Sequence, residues 1–171
     1  MLQEMVCGCR VPLEQYPENA EWGPLFWKLL HGLAEYAGKQ KSPLLQNDER
    51  RLWLSLLTEL QRCLPCDICR GHYTERLKEF PIDGILTMPY AEFGHWVRHH
   101  LWQLHNIINE GNDKPLFTWE QLTLEYKGIN ITEQWKRLEP VVKKAIQLNG
   151  ITLVPWRKFL GFVRGLQGLY G

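Results

Sequence analysis

The stretch YAEFGHWVRHHLWQLHNIINE, residues 90–110, decides the fold class. Its apolar positions Phe93, Trp96, Val97, Leu101, Leu104 and Ile108 recur every three or four residues, which places them on one face of a long α-helix. The same spacing continues outward in both directions. Toward the N-terminus, Leu25, Phe26, Leu29, Leu30 and Leu33 predict a helix from Trp22 to about Gly38, with Pro24 in its first turn. Trp53, Leu56, Leu57 and Leu60 predict another, capped by Asn47 or Asp48 and running to about Arg62. Pro65 forces a break, and a helix is expected from Cys66 to about Phe80, where Pro81 and Gly84 stop it. Toward the C-terminus a short helix near Trp119 to Tyr126 precedes helices over about Thr132 to Leu148 and Pro155 to Leu169. In these last two, Trp135, Val141, Val142, Ile146, Phe159, Phe162, Val163 and Leu166 predict apolar faces that pack on the preceding helices or on a partner subunit. Ile151-Thr152-Leu153-Val154 is the one β-like run, short and flanked by Gly150 and Pro155. The predicted class is all-α.

With 171 residues, 44% of them hydrophobic, the chain can bury the core of one domain and is short for two. Twenty basic against nineteen acidic residues leave a formal charge of +1, so no electrostatic footprint for nucleic acid is present. Apolar runs such as Leu54 to Leu57 fall far short of the roughly 20 residues that cross a bilayer, so no membrane span and a soluble protein are expected. The opening MLQEMVCGCRVPLEQ lacks the basic start and apolar run of a secretory signal, and Glu4 and Glu14 argue against a transit peptide. Residues 1–21, with Pro12 and Pro17 and little periodicity, read as a flexible arm carrying Cys7-Gly8-Cys9.

The five cysteines fall in two clusters, Cys7/Cys9 and Cys63/Cys66/Cys69, a pattern of reactive or metal-binding sulfur and not of a disulfide-stapled scaffold. In CLPCDIC, residues 63–69, the pair Cys66/Cys69 opens a helix after Pro65. Unpaired N–H groups and the helix dipole there lower a thiol's pKa and favour the attacking thiolate. Taken by itself the segment also admits two other readings. One is buried inert cysteines; the other is a metal site, because Cys63, Cys66, Cys69 and His72 recur every third residue. A second constellation lies further on. His105 and Asn109 are four apart and share a helix face, as do Trp27 and His31, and the interior of a helical bundle is a usual place for a cofactor.

Trp22-Gly23, Trp27, Leu29-Leu30-His31, Ala34, Tyr36, Pro65-Cys66-x-x-Cys69, Trp96, His105-Asn106-x-x-Asn109 and Lys114-Pro115-Leu116-Phe117 occur in order over residues 22–118. As an ordered set they resemble the Erv/ALR family of sulfhydryl oxidases. The resemblance implies a four-helix bundle with a short fifth helix over residues 22–118, holding FAD noncovalently, with residues 119–171 as a helical extension. Carried over residue by residue, Gly23, Trp27, His31, Tyr36, His105, Asn109 and Lys114 become FAD contacts. Aromatic faces suit the flat rings, imidazole and amide groups their polar edges, and lysine the diphosphate. The resemblance makes Cys69 the thiolate facing the flavin, Cys66 the interchange thiol, and no metal a part of the site. It makes Cys7/Cys9 a shuttle disulfide, whose small ring should be strained and easily exchanged. Electrons would pass from a protein dithiol substrate, or a small redox-carrier protein, through Cys7/Cys9 and Cys66/Cys69 to FAD and then to oxygen, giving hydrogen peroxide.

This sequence departs from the family pattern at Pro24, Leu25 and Phe26, where many members have Arg-Ser-Thr, and nothing cationic nearby replaces that contact. No cysteine follows Cys69, so the disulfide that pins the fifth helix in many cellular members cannot form. Cys63 is expected to be buried and inert, and the assembly to be a homodimer. The absent targeting signal and the extension suit a viral member in host cytoplasm or virion, with the mitochondrial intermembrane space as the alternative.

Overall fold

A computed structural model describes residues 15–171, so the Cys7-Gly8-Cys9 segment lies outside the described residues. Among the described residues seven α-helices follow one another: α1 (Asn19–Ala34), α2 (Pro43–Cys63), α3 (Asp67–Glu79), α4 (Tyr90–Gly111), α5 (Trp119–Tyr126), α6 (Ile131–Gln147) and α7 (Leu153–Tyr170). A 3-10 turn, Asp83–Leu86, links α3 to α4. No strand occurs among the described residues, and the chain is all-α.

Element ends shift from the sequence reading wherever a cap outweighs periodicity. The first helix begins at Asn19, three residues early, because the Glu21 carboxylate turns back to accept the Glu18 N–H at 3.4 Å. Pro24 therefore sits in the second turn and not the first, on the exposed side of α1. Ser42 and not Asn47 or Asp48 caps α2, since Pro43 has the backbone angle of a first helical residue. Cys66 caps α3 and is not its first residue. Ile151-Thr152-Leu153-Val154 forms no strand: Ile151 is buried and Leu153 opens α7. Pro140 lies inside α6, where its exposed position leaves the carbonyl it cannot serve on the solvent side.

In the resulting arrangement α6 lies along α1, α7 lies along α2, α4 packs on α1 and α3 on α2. One core joins all of them: Leu29 and Leu33 of α1, Trp53 and Leu56 of α2, Phe93 and Val97 of α4, Leu138 and Val142 of α6, Phe159 and Val163 of α7. Ile108, expected inward on α4, is 42% exposed, because the inward face at that level is taken by His105 and Asn109. Close approaches occur where glycine allows them. A Cβ on Gly32 would come within 2.8 Å of Ile131 Cδ1 on α6, and one on Gly94 would overlap the Ala37 carbonyl.

A buried carboxylate ties the chain's end to the bundle. Glu49 of α2 is fully buried and accepts from the Gly38 N–H at 3.1 Å, from the Tyr170 hydroxyl at 2.8 Å and from the Tyr90 hydroxyl. The Tyr170 oxygen in turn accepts from Trp53 Nε1 at 2.8 Å. Burial and the Glu49 charge push the Tyr170 hydroxyl well above its ordinary range, so it remains a donor.

Candidate functional site

Two groups of residues form the site, one of sulfur and one of stacked rings. Leu64, restricted by Pro65, has the extended backbone that ends α2. The chain re-enters helix at Asp67 with Cys66 as cap, its Sγ accepting the Cys69 N–H at 3.1 Å. Cys66 and Cys69 are joined as a disulfide, with their Cα atoms 5.2 Å apart. Arg70 braces the turn, donating to the Leu64 carbonyl at 2.6 Å and to the Gly150 carbonyl, between α6 and α7, at 3.3 Å. Tyr73 fastens α3 to α2 by donating to the Leu57 carbonyl at 2.7 Å. Ile68, inside the pair's loop, is 67% exposed, so the disulfide is presented at the surface. Cys63 is completely buried, and burial pushes its thiol well above the ordinary range, which leaves it inert. The third-residue repeat of sulfur thus does not converge on one point, and among the described residues no three metal-ligating side chains gather.

The ring cluster joins α1, α4 and α5. Trp27 and His105 stack with centroids 4.0 Å apart and planes within 10°, and His31 Nε2 lies 3.1 Å from His105 Nδ1. Tyr126 of α5 stacks on His31 at 4.4 Å, and Phe117 packs on His105 at 5.0 Å. Burial, with His105 and Arg98 nearby, lowers His31 to about 3; burial, with the Lys114 ammonium nearby, lowers His105 to about 4. Both rings are therefore neutral at pH 7, and one donates an N–H to the other. Asp113 adopts a left-handed turn, φ 53°, that folds the chain back onto α4. The Lys114 N–H then donates to the Asn109 carbonyl at 2.8 Å, and Asn109 Nδ2 to the Pro115 carbonyl at 3.2 Å. Asn106 holds Phe117 by two bonds of 2.9 Å.

Of the residues expected to contact a cofactor, Trp27, His31 and His105 meet directly, with Asn109 and Lys114 beside them. Gly23 continues the Trp27/His31 face of α1, and a Cβ there would meet nothing within 4 Å. Tyr36 stacks on Tyr170 of α7 at 5.7 Å, outside the Trp27–His105 stack. Tyr126 escaped the sequence reading; its signal was the i,i+4 pair Leu122/Tyr126, both buried in a short helix. Asn19 and Arg70, which flank the sulfur pair, carried no signal at all. An FAD calls for flat apolar faces, neutral hydrogen-bonding edges and a cation for its diphosphate. Stacked Trp27, two neutral imidazoles, the Asn109 carboxamide and exposed Lys114 supply that donor set, so the residues fit the group.

The imidazoles have a pH signature. Their folded pKa values lie below the ordinary 6.5, so the unfolded chain binds protons that the folded chain does not. Stability should be greatest above pH 6.5 and fall as pH drops toward 4, by on the order of 1–2 kcal/mol per histidine at pH 5. Urea midpoints at pH 7 and pH 5 check this: the drop should shrink in His31→Asn/His105→Asn, and an unchanged drop would place the titration elsewhere.

Comparison with known proteins follows the same motif. The profile of the Erv1 / Alr family matches residues 24–136, continuing past Thr118 into α6. The FAD-linked sulfhydryl oxidase ERV1 of Oryza sativa subsp. japonica is 28% identical over 119 residues, 70% of this chain and 56% of that protein. The putative FAD-linked sulfhydryl oxidase 088R of Frog virus 3 (isolate Goorha) is 29% identical over 106 residues, 61% of this chain and 65% of that protein. The FAD-linked sulfhydryl oxidase of African swine fever virus is 32% identical over 114 residues, 63% of this chain and 78% of that protein. The match thus spans little more than half of the rice protein and under two thirds of the frog-virus one. No solved structure gives a significant match.

Proposed function

The chain belongs to the Erv1 / Alr family, and from that premise we propose that it is an FAD-dependent sulfhydryl oxidase that forms disulfides in protein substrates. The observation that carries the reading is the pairing, in one helical bundle, of a surface disulfide at the start of α3 with the Trp27/His31/His105 stack, whose two imidazoles are buried. FAD supplies two-electron acceptance from thiols and their delivery to oxygen as hydrogen peroxide. Trp27 and His105 would present ring faces to it, His31 and Asn109 polar edges, and Lys114 its charge; Gly23 and Tyr36 complete the proposed set. Cys66, at the cap, is the thiol that exchanges with incoming dithiols, and Cys69 the one on the flavin side. Cys7/Cys9 relays electrons from bulky substrates or from a small redox-carrier protein to Cys66.

A homodimer is the proposed assembly. The viral relatives support host cytoplasm or virion as the place of action, ahead of the mitochondrial intermembrane space. No helix among the described residues is long and apolar enough to cross a membrane. The deciding experiment is denaturation of the purified yellow protein: about one FAD per chain should be released, and its spectrum identifies it. A colourless protein carrying about one zinc per chain would overturn the oxidase reading.

A further inference from the structure

His95 and His99 lie one turn apart on α4, so they share one face of the helix. That face is roughly a quarter to a third of a turn around the helix from His105. The two rings are 5.8 Å apart between centroids and within 20° of parallel. His95 is exposed and His99 half-buried, which opens the pair to solvent on one side. The other side is indole. Trp119 packs on both rings, 5.2 Å from His95 and 5.7 Å from His99, and Trp102 packs on His99 at 5.4 Å. Each indole is fixed by a separate contact: the Trp102 N–H donates to the Phe117 carbonyl at 2.9 Å, and the Thr118 cap sets Trp119 as the first residue of α5. Arg98 stands between the histidines in sequence, yet its charge is taken up elsewhere. Its guanidinium lies over the Trp119 ring at 5.1 Å, paired with the Glu35 carboxylate at 3.1 Å and donating to the Thr123 hydroxyl at 2.7 Å.

We propose that His95 and His99 together bind a divalent transition-metal ion of the class that prefers imidazole, with water in its remaining positions. Side chains one turn apart leave a helix about 5–6 Å apart at Cβ. An ion taking one nitrogen from each ring at about 2.0–2.1 Å draws those nitrogens to roughly 3 Å of each other. Rotation of the exposed His95 ring closes the difference. The helical HExxH motif uses the same spacing for its two zinc ligands. His99 offers a free lone pair at pH 7, because burial and the neighbouring His95 hold its pKa below the ordinary 6.5. No third ligating side chain joins them among the described residues, and a pair of imidazoles selects Zn2+, Ni2+ or Cu2+ over Mg2+ and Ca2+. The indole floor holds His99 in place and keeps water from one side of the pair, so little ordering remains to be done on binding. No redox step is involved, and the proposal stands apart from the oxidase reading.

Calorimetric titration with Ni2+ of the untagged full chain, its accessible thiols alkylated, tests this. Binding should saturate at one ion per chain. His95→Ala and His99→Ala should each weaken it at least roughly tenfold, because a chelate becomes a single contact. His72→Ala, on the exposed side of α3, should leave it unchanged. An ion held by both rings binds only the folded helix, so saturating Ni2+ should also raise the melting temperature of the parent protein and not that of the two variants. Ni2+ is paramagnetic, and in the parent the ring-proton signals of His95 and His99 should broaden before those of the other histidines. That pattern decides the matter even where a variant fails to fold. Absence of saturable binding in the millimolar range, parent-like affinity in either variant, or broadening that begins at other histidines would overturn the proposal and make the ion adventitious.

Discussion

Replacing either Cys66 or Cys69 by serine should reduce thiol oxidation to the uncatalysed level, and the two variants should differ in the sulfur that remains. In Cys69→Ser, Cys66 is left at the cap of α3, where its Sγ lies 3.1 Å from the backbone N–H of residue 69. That donor and the helix dipole favour the thiolate, so Cys66 should alkylate at pH 7 faster than a free cysteine does. In Cys66→Ser the flavin-side role proposed for Cys69 predicts a long-wavelength charge-transfer band that Cys69→Ser lacks. Reversed spectra would exchange the two roles, and turnover retained in either variant would route the electrons elsewhere. Cys63 is the internal control: fully buried, its thiol held protonated, it should not react in either variant.

Much of this site was legible because its signals are local. A proline before a cysteine fixes the break and the cap; a spacing of four fixes which groups share a helix face, as with Trp27/His31 and His105/Asn109. What could not be read is what tertiary packing decides. Nothing in the sequence announces that Tyr126 stacks on His31, that Arg70 reaches the Gly150 carbonyl, or that Tyr36 meets Tyr170. Helix ends failed for a related reason. Glu21 turning back on Glu18, and Pro43 as a first helical residue, outweighed the apolar periodicity that pointed to Trp22 and Asn47. The apolar faces of the C-terminal helices were plain, whereas their pairing, α6 with α1 and α7 with α2, emerges only from the assembled fold.

Phe159→Ala should destabilise the protein by about 3–5 kcal/mol, the range for deleting a phenylalanine from a packed core. Phe159 is fully buried on α7, stacked on Trp156 at 5.8 Å and meeting Phe26 of α1 at 5.5 Å. The loss touches two helices: Phe26 on α1 lies inside the segment that the family profile matches, and α7 lies beyond it. Against a total stability of about 5–15 kcal/mol, the variant should melt on the order of 10 °C lower. Urea unfolding with an unchanged slope would assign the change to the folded state, and Leu153→Ala, 39% exposed at the start of the same helix, should cost little. Equal effects from the two substitutions would mean that α7 is an appendage and not part of the core.

The Glu49 hub gives the order of events during synthesis a definite shape. Its third donor, Tyr170, lies on α7, and α7 closes on an α2 made about a hundred residues earlier. Until α7 has been made, α2 lacks its cover and Glu49 lacks a donor, so the bundle cannot reach its final packing before α7 has left the ribosome. Assembly therefore waits for α7, and the five cysteines, all at or before residue 69, are synthesised well before the fold that later determines which of them react.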